Sequence, residues 1–122
     1  MKSLLTGKGH ECYVAECEGK VVGYVHISPS FSMQGGKCEI ALYLIPGFTG
    51  RGLGRQLALQ GMQLARQMDY TIMGSSVCTE NERSLALFDS LGFSRITTKQ
   101  NAGYKFGRDL HTQLFEISLV EP

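Results

Sequence analysis

Apolar residues dominate the chain between Cys38 and Ile45, Cys-Glu-Ile-Ala-Leu-Tyr-Leu-Ile, and only Glu39 breaks the run before Pro46. A short, nearly continuous apolar run stopped by proline predicts a strand covered on both faces. Upstream, Tyr13–Cys17 and Val21–Ile27 are rich in β-branched and aromatic residues, and Glu18-Gly19-Lys20 between them supplies a turn glycine, so they predict a hairpin. Residues 28–36, with Pro29, serines and glycines, predict a loop.

Downstream, Leu53, Leu57, Gly61, Leu64 and Met68 recur at helical spacing with Ala58 and Ala65 beside them, while Arg55, Gln56, Gln60, Gln63 and Arg66 fall on the other side. That is one apolar stripe on a helix over 53–68. Tyr70–Val77 is the next strand. Thr79-Glu80-Asn81-Glu82 has the Ser/Thr-x-x-Glu form of a capping box and predicts a second helix, which Gly92 ends, with Phe93 placed to pack back onto it. Ser94–Lys99 and His111–Leu119 alternate as strands do. The predicted order is β-β-β-α-β-α-β-β, which belongs to an α/β or α+β layer fold built on one mixed sheet.

Composition narrows the classes of function. The chain has 122 residues, 43% of them hydrophobic, which suits a single domain over 1–122. Twelve Lys and Arg against eleven Asp and Glu give a net charge of +1, so the footprint of a nucleic-acid or anionic-membrane binder is missing. The start, Met1-Lys2-Ser3-Leu4-Leu5-Thr6-Gly7, is too short for a signal h-region, and no apolar stretch has the length to span a bilayer. Cys12, Cys17, Cys38 and Cys78 form no CxxC pair and predict reduced thiols in a cytoplasmic protein. His10, His26 and His111 lie singly, without metal-ligand spacing, so no metal site is expected.

The strongest chemical signal is Pro46-Gly47-Phe48-Thr49-Gly50-Arg51-Gly52-Leu53-Gly54, between a strand and an amphipathic helix. Glycines let backbone amides approach a ligand, and a helix N-terminus favours an anion. Arg51 adds a full charge, so a diphosphate fits. The loop lacks the Gly-Lys-Ser/Thr of a Walker A sequence. A dinucleotide fingerprint also fails, because its third glycine would fall on Leu57 or Arg55. A plain strand-to-helix turn is the remaining alternative.

The run Tyr43-Leu44-Ile45-Pro46 through Gly52-Leu53-Gly54-Arg55-Gln56-Leu57 resembles motif A of the GNAT acetyltransferases, whose Gln/Arg-x-x-Gly-x-Gly/Ala loop binds the pyrophosphate of coenzyme A. Gly52 and Gly54 match, and Thr49 stands where Gln or Arg is usual. Asn81-Glu82-Arg83-Ser84-Leu85-Ala86-Leu87-Phe88 followed by Leu91-Gly92-Phe93 is similar to the family's next motif. Ala102-Gly103-Tyr104-Lys105-Phe106-Gly107-Arg108 is similar to a segment of the phosphinothricin acetyltransferase-like branch, which acetylates small amino-acid-like amines. The likeness runs from about Cys12 to Leu119.

The resemblance implies a GNAT-like fold that binds acetyl-CoA as co-substrate and acetylates a small primary amine. It implies backbone contacts to the thioester and pantetheine from Leu42, Tyr43 and Leu44, a pyrophosphate cradle at Thr49, Gly50, Arg51, Gly52, Leu53 and Gly54, and further contacts from Asn81 and Ser84. Glu39, four residues before Tyr43, falls on the position of the branch's carboxylate. It is also the one carboxylate inside an apolar strand, where desolvation raises a carboxyl pKa towards the range of a general base; a surface or salt-bridging glutamate is the alternative. The family's general acid is a tyrosine in the second of these helices, where this chain has Phe88, and Tyr104 or Ser90 are candidate substitutes. Met62, Met68 and Met73 are expected in the core, and Lys105 and Arg108 either in solvent or facing an anionic substrate.

A complete GNAT domain begins with a strand and two helices ahead of the hairpin, whereas twelve residues precede Tyr13 here. The expectation is a domain lacking the first strand and first two helices. Its uncovered sheet is either paired in a homodimer or belongs to a shortened relative. A binding module that keeps the cofactor cradle without catalysis is the competing functional reading.

Overall fold

The computed structural model describes residues 2–7, 10–30, 36–48, 52–105 and 108–120, and of residues 2–7, 10, 100–105 and 108–110 the backbone alone. The elements run β1 (Lys2–Gly7), β2 (His10–Cys17), β3 (Lys20–Pro29), β4 (Lys37–Leu44), α1 (Leu53–Gln67), β5 (Ile72–Cys78), α2 (Glu82–Ser90), β6 (Ser94–Lys105) and β7 (Arg108–Ser118). The expected α/β order holds from β2 onward, and one strand is added ahead of it. Ser3, Leu4 and Leu5 of β1 pair with Tyr13, Cys12 and Glu11, so the first residues extend the antiparallel ladder. The stretch is too short and mixed for its alternation to be read from sequence; pairing with a formed neighbour is what orders it.

The chain divides into two compact units, Met1–Met73 with Ser118–Pro122, and Gly74–Ile117. In the first, β1, β2, β3 and β4 lie side by side in chain order, all antiparallel. Glu18 (φ 52) and Gly19 (φ 80) both take positive φ between β2 and β3. A two-residue connection of that kind is a type I′ turn, whose twist matches that of the strands it joins.

Helix α1 packs on β2, β3 and β4. It buries Leu57, Ala58, Gly61, Met62, Leu64 and Ala65, the middle of the stripe expected from spacing together with Met62, while Leu53 and Met68 at the ends of the stripe are half-buried. Gly61 lets the helix sit close: a Cβ there would come within 2.9 Å of Val25 and 3.0 Å of Ile40. Val25, Ile27, Cys38 and Leu57 are completely buried in this layer, and each large aliphatic side chain contributes about 1.5–3 kcal/mol. The helix ends with Asp69 in the left-handed region at φ 67. The Tyr70 amide donates to Ala65 O and that of Asp69 to Arg66 O, each at 3.0 Å, which is a Schellman ending without glycine. The C-terminal residues are tied into this unit by Leu119 N–H donating to Thr71 O at 2.7 Å and Arg66 Nε donating to Leu119 O at 3.1 Å.

In the second unit the strand order is β5, β7, β6. Helix α2 starts two residues later than a Thr79 capping box places it. Its N-cap is Asn81, whose Oδ1 accepts from the Ser84 amide at 3.2 Å. Asn is as good a cap as Thr, and Thr79 N–H instead donates to His111 O. The other end is as expected. Gly92 has φ 93, its amide donates to Asp89 O, and that of Phe93 donates to Phe88 O, both at 3.1 Å. Phe93 meets Phe88 edge-on with centroids 5.0 Å apart, so the Schellman motif and its hydrophobic contact occur together. Phe115 of β7 completes the cluster, 5.7 Å from Phe88.

Candidate functional site

The first unit builds the site from β4, the segment after it and the start of α1. β4 ends at Leu44, Ile45 N–H donates to Val22 O at 2.9 Å, and Gly47 turns the chain with φ 96. Gly52 (φ 78) is the N-cap of α1 and takes the left-handed conformation, with no side-chain cap and no acidic residue in the first turn. The first backbone bond of the helix runs from Gln56 N–H to Gly52 O, at 3.1 Å. The amides of Leu53 and Gly54 precede that bond, where an α-helix offers no backbone acceptor of its own. A Cβ built on Gly52 meets no atom within 4 Å. Glycine is therefore demanded there by φ, and the space beside it is open. A helix start with no acidic residue in its first turn and open space beside the Gly52 Cβ position suits an anion. Thr49, Gly50 and Arg51, expected in the same cradle, lie outside the described residues.

Strand alternation sorts β3 and β4 by face. Val25, Ile27 and Ile40 meet α1 at Gly61, which leaves Glu39, Ala41 and Tyr43, with Tyr24, His26 and Ser28, on the opposite face. The strand expected to be covered on both sides is covered on one: Ala41 is exposed and Tyr43 is 48% exposed. The apolar run misled because Ala41 and Tyr43 both tolerate solvent. Glu39 is half-buried on this face, opposite Ser28. Burial of the neighbouring Cys38 thiol, and after it the charge of Glu39, push that thiol up to about 12. Leu42 and Leu44 are half-buried on the α1 side.

Tyr24 was not among the residues singled out from sequence. It stands directly opposite Tyr43, with ring centroids 5.8 Å apart and planes inclined by 30°. His26 stands opposite Ala41, one pair nearer to Glu39. A hairpin register would have revealed both; composition alone does not carry it.

In the second unit Asn81 is exposed, and its Oδ1 is engaged by the cap, so its Nδ2 is the donor that the cap leaves for a ligand. Ser84 is half-buried. Phe88 is 3% exposed in the aromatic cluster and serves as core. Ser90 Oγ donates to Leu87 O at 2.7 Å, which commits its proton to the helix. The side chains of Tyr104, Lys105 and Arg108 lie outside the described residues. Met62 and Met73 are buried, while Met68 is half-buried. All four cysteines are free thiols, with Cys17 exposed and Cys38 buried. Among the described residues no group of three His, Cys, Asp or Glu is arranged to hold a metal, and no helix is long and apolar enough to cross a membrane.

The family model for the acetyltransferase (GNAT) family matches residues 2–93. The chain belongs to the GNAT family. It is 31% identical over 115 residues to the L-methionine sulfoximine/L-methionine sulfone acetyltransferase of Salmonella typhimurium, covering 93% of this chain and 67% of that protein. With the phosphinothricin N-acetyltransferase of Alcaligenes faecalis it shares 31% identity over 110 residues, 87% of this chain and 55% of that one. Among solved structures it superposes on yncA of Salmonella typhimurium, determined with its cofactor acetyl-CoA, at a TM-score of 0.85 and 31% identity, over 93% of this chain and 67% of that chain. The chain spans about half to two thirds of the length of the curated relatives it matches.

Proposed function

We propose that the chain binds acetyl-CoA with its diphosphate at the start of α1 and transfers the acetyl group to the primary amine of a small, amino-acid-like substrate, with Glu39 as general base. The observation that carries this reading is the start of α1, where the left-handed N-cap Gly52 makes no side-chain cap bond and the amides of Leu53 and Gly54 precede the first helical bond. Relatives named for acetylation of methionine sulfoximine and phosphinothricin support the substrate class. Four free thiols support a reducing, cytoplasmic setting.

The amides of Leu53 and Gly54 hold the diphosphate, and the backbone of Leu42, Tyr43 and Leu44 runs beside the pantetheine. When bound, acetyl-CoA supplies an acetyl group whose carbonyl carbon forms a bond to the amine nitrogen as its bond to sulfur breaks. An incoming ammonium loses two protons in this exchange. Glu39 takes the first, directly or through a water, and passes it to solvent; the second balances the thiol that leaves. A half-buried carboxylate is suited to the first transfer, since it stays in contact with water while facing the acceptor. Phe88 is core and carries no proton to donate, so in this reading the leaving thiolate takes the second proton of the amine.

Calorimetric titration with acetyl-CoA, followed by thiol release across a panel of small amines, tests this. Glu39→Gln is expected to lower kcat by about 10²–10⁴-fold and to leave acetyl-CoA affinity within twofold of the parent. Binding without thiol release from any amine would identify a binding module instead, and absence of binding would remove the cradle.

A further inference from the structure

Two nucleophilic side chains face each other at the tip of the β2–β3 hairpin. Cys17 closes β2, Lys20 opens β3, and the two are cross-strand partners across the turn of Glu18 and Gly19. Residues directly opposite on an antiparallel pair carry their side chains on one face, with Cβ atoms about 4.5–5.5 Å apart. The flexible four-carbon stem of a lysine spans that gap. Both residues are exposed. Cys12 and Cys38 lack this setting: Cys38 is buried opposite Pro29, and half-buried Cys12 stands opposite His26.

We propose that Cys17 and Lys20 form an acyl relay, a self-modification site at which an acyl thioester such as acetyl-CoA acetylates the thiol and the thiol passes the acetyl group to the lysine. In the first step the Cys17 thiolate, the nucleophilic form, attacks the thioester carbonyl carbon. A bond from that carbon to Cys17 Sγ forms as its bond to the coenzyme sulfur breaks, and the departing thiolate takes up the proton that Cys17 gave up. In the second step Lys20 Nζ, after losing its ammonium proton to solvent, attacks the same carbon. The carbon–nitrogen bond forms, the bond to Cys17 Sγ breaks, and one further proton from the nitrogen restores the thiol. Nothing is oxidised or reduced, and the resonance of the new amide makes the second step run one way. The relay outpaces direct attack of Lys20 on the thioester for two reasons: a thiolate is intrinsically very nucleophilic, and the turn holds the amine beside the captured acetyl group. Its product is a free Cys17 and a Lys20 without charge. It consumes one acetyl group per chain and requires neither the start of α1 nor Glu39, so it stands apart from turnover on an added amine.

The test incubates the full chain with acetyl-CoA and no amine and reads acetylation residue by residue by peptide mass spectrometry, with hydroxylamine to strip thioesters and leave amides. Lys20 is expected to gain a hydroxylamine-stable acetyl group about tenfold faster, or more, than Lys99, an exposed lysine opposite Thr112, at a rate independent of chain concentration. Cys17→Ser should bring Lys20 down to the Lys99 rate, and Lys20→Arg should leave a hydroxylamine-sensitive acetyl group on Cys17. Equal rates at Lys20 and Lys99, or an unchanged Lys20 rate in Cys17→Ser, would overturn the relay. A rate that rises with chain concentration would overturn it too, by assigning the modification to one copy acting on another. Should acetyl-CoA fail to bind at α1, the Lys20 result still stands, so the two readings fall separately.

Discussion

Gly52 answers to two demands that a single substitution separates. Its φ of 78 lies in the left-handed region, which costs a residue with a Cβ about 1–2 kcal/mol. Among the described residues, a methyl group at this position has no atom within 4 Å beyond its chain neighbours. Gly52→Ala is therefore expected to fold with a stability loss of about 1 kcal/mol while its acetyl-CoA affinity falls by about tenfold or more, because the added methyl stands where the diphosphate approaches. Unchanged affinity in calorimetry would leave the glycine as a turn residue only. Cys38 shows a second local effect. Burial, aided by the charge of Glu39, raises its thiol from 9.0 to about 12. The folded chain thus holds a proton that the unfolded chain gives up first. The stability linked to this thiol is complete below about pH 9 and is lost as pH climbs towards about 12. At neutral pH a thiol reagent should modify exposed Cys17 within minutes and leave Cys38 untouched until the chain unfolds. Equal rates for the two would contradict the burial.

The contact between α1 and the sheet depends on the absence of a side chain at Gly61. Alanine would ordinarily favour the helix by about 1 kcal/mol, but here a Cβ falls 2.9 Å from Val25 and 3.0 Å from Ile40, and overpacking costs about 1–3 kcal/mol. Gly61→Val adds two further methyls to that gap and is expected to lower stability by about 3 kcal/mol or more in a urea titration, with helix content retained up to the transition. A change below about 1 kcal/mol would mean that the helix can lift without loss. Both helices were legible in the sequence because their stripes and stops are local: Leu57 to Ala65 repeats at helical spacing, and Gly92-Phe93 encodes its own ending. The start of α2 was misplaced because Thr79 and Asn81 are both caps by chemistry, and backbone pairing at Thr79 decided between them. The Asp69 ending of α1 carried no glycine to announce it. β1 and the open face of β4 were missed for a different reason. What lies beside a strand is a long-range fact, and Tyr24 becomes part of the candidate site only through its register with Tyr43.

At the scale of the whole chain, the proposed cofactor cradle is more legible in the sequence than the proposed acceptor. The cradle is proposed on one contiguous segment, so spacing and the family motif point to it together, whereas side chains on separate strands meet only through register. A ligand that binds the folded chain alone stabilises it by mass action, about 2.7 kcal/mol at a concentration one hundred times its dissociation constant. For a chain of 122 residues, between the size classes where one kcal/mol moves Tm by about 4–8 °C and by about 2–4 °C, that is a rise of about 10 °C. The source of the rise is also specified. Coenzyme A without the acetyl group keeps the diphosphate and should give most of the shift, while acetylated pantetheine, which lacks it, should give little at the same concentration. Gly52→Ala should abolish the difference between the two ligands. Were acetylated pantetheine to stabilise the chain as well as coenzyme A does, the helix start would not be holding the diphosphate, and the affinity would have to come from the strand backbone at Leu42–Leu44 instead.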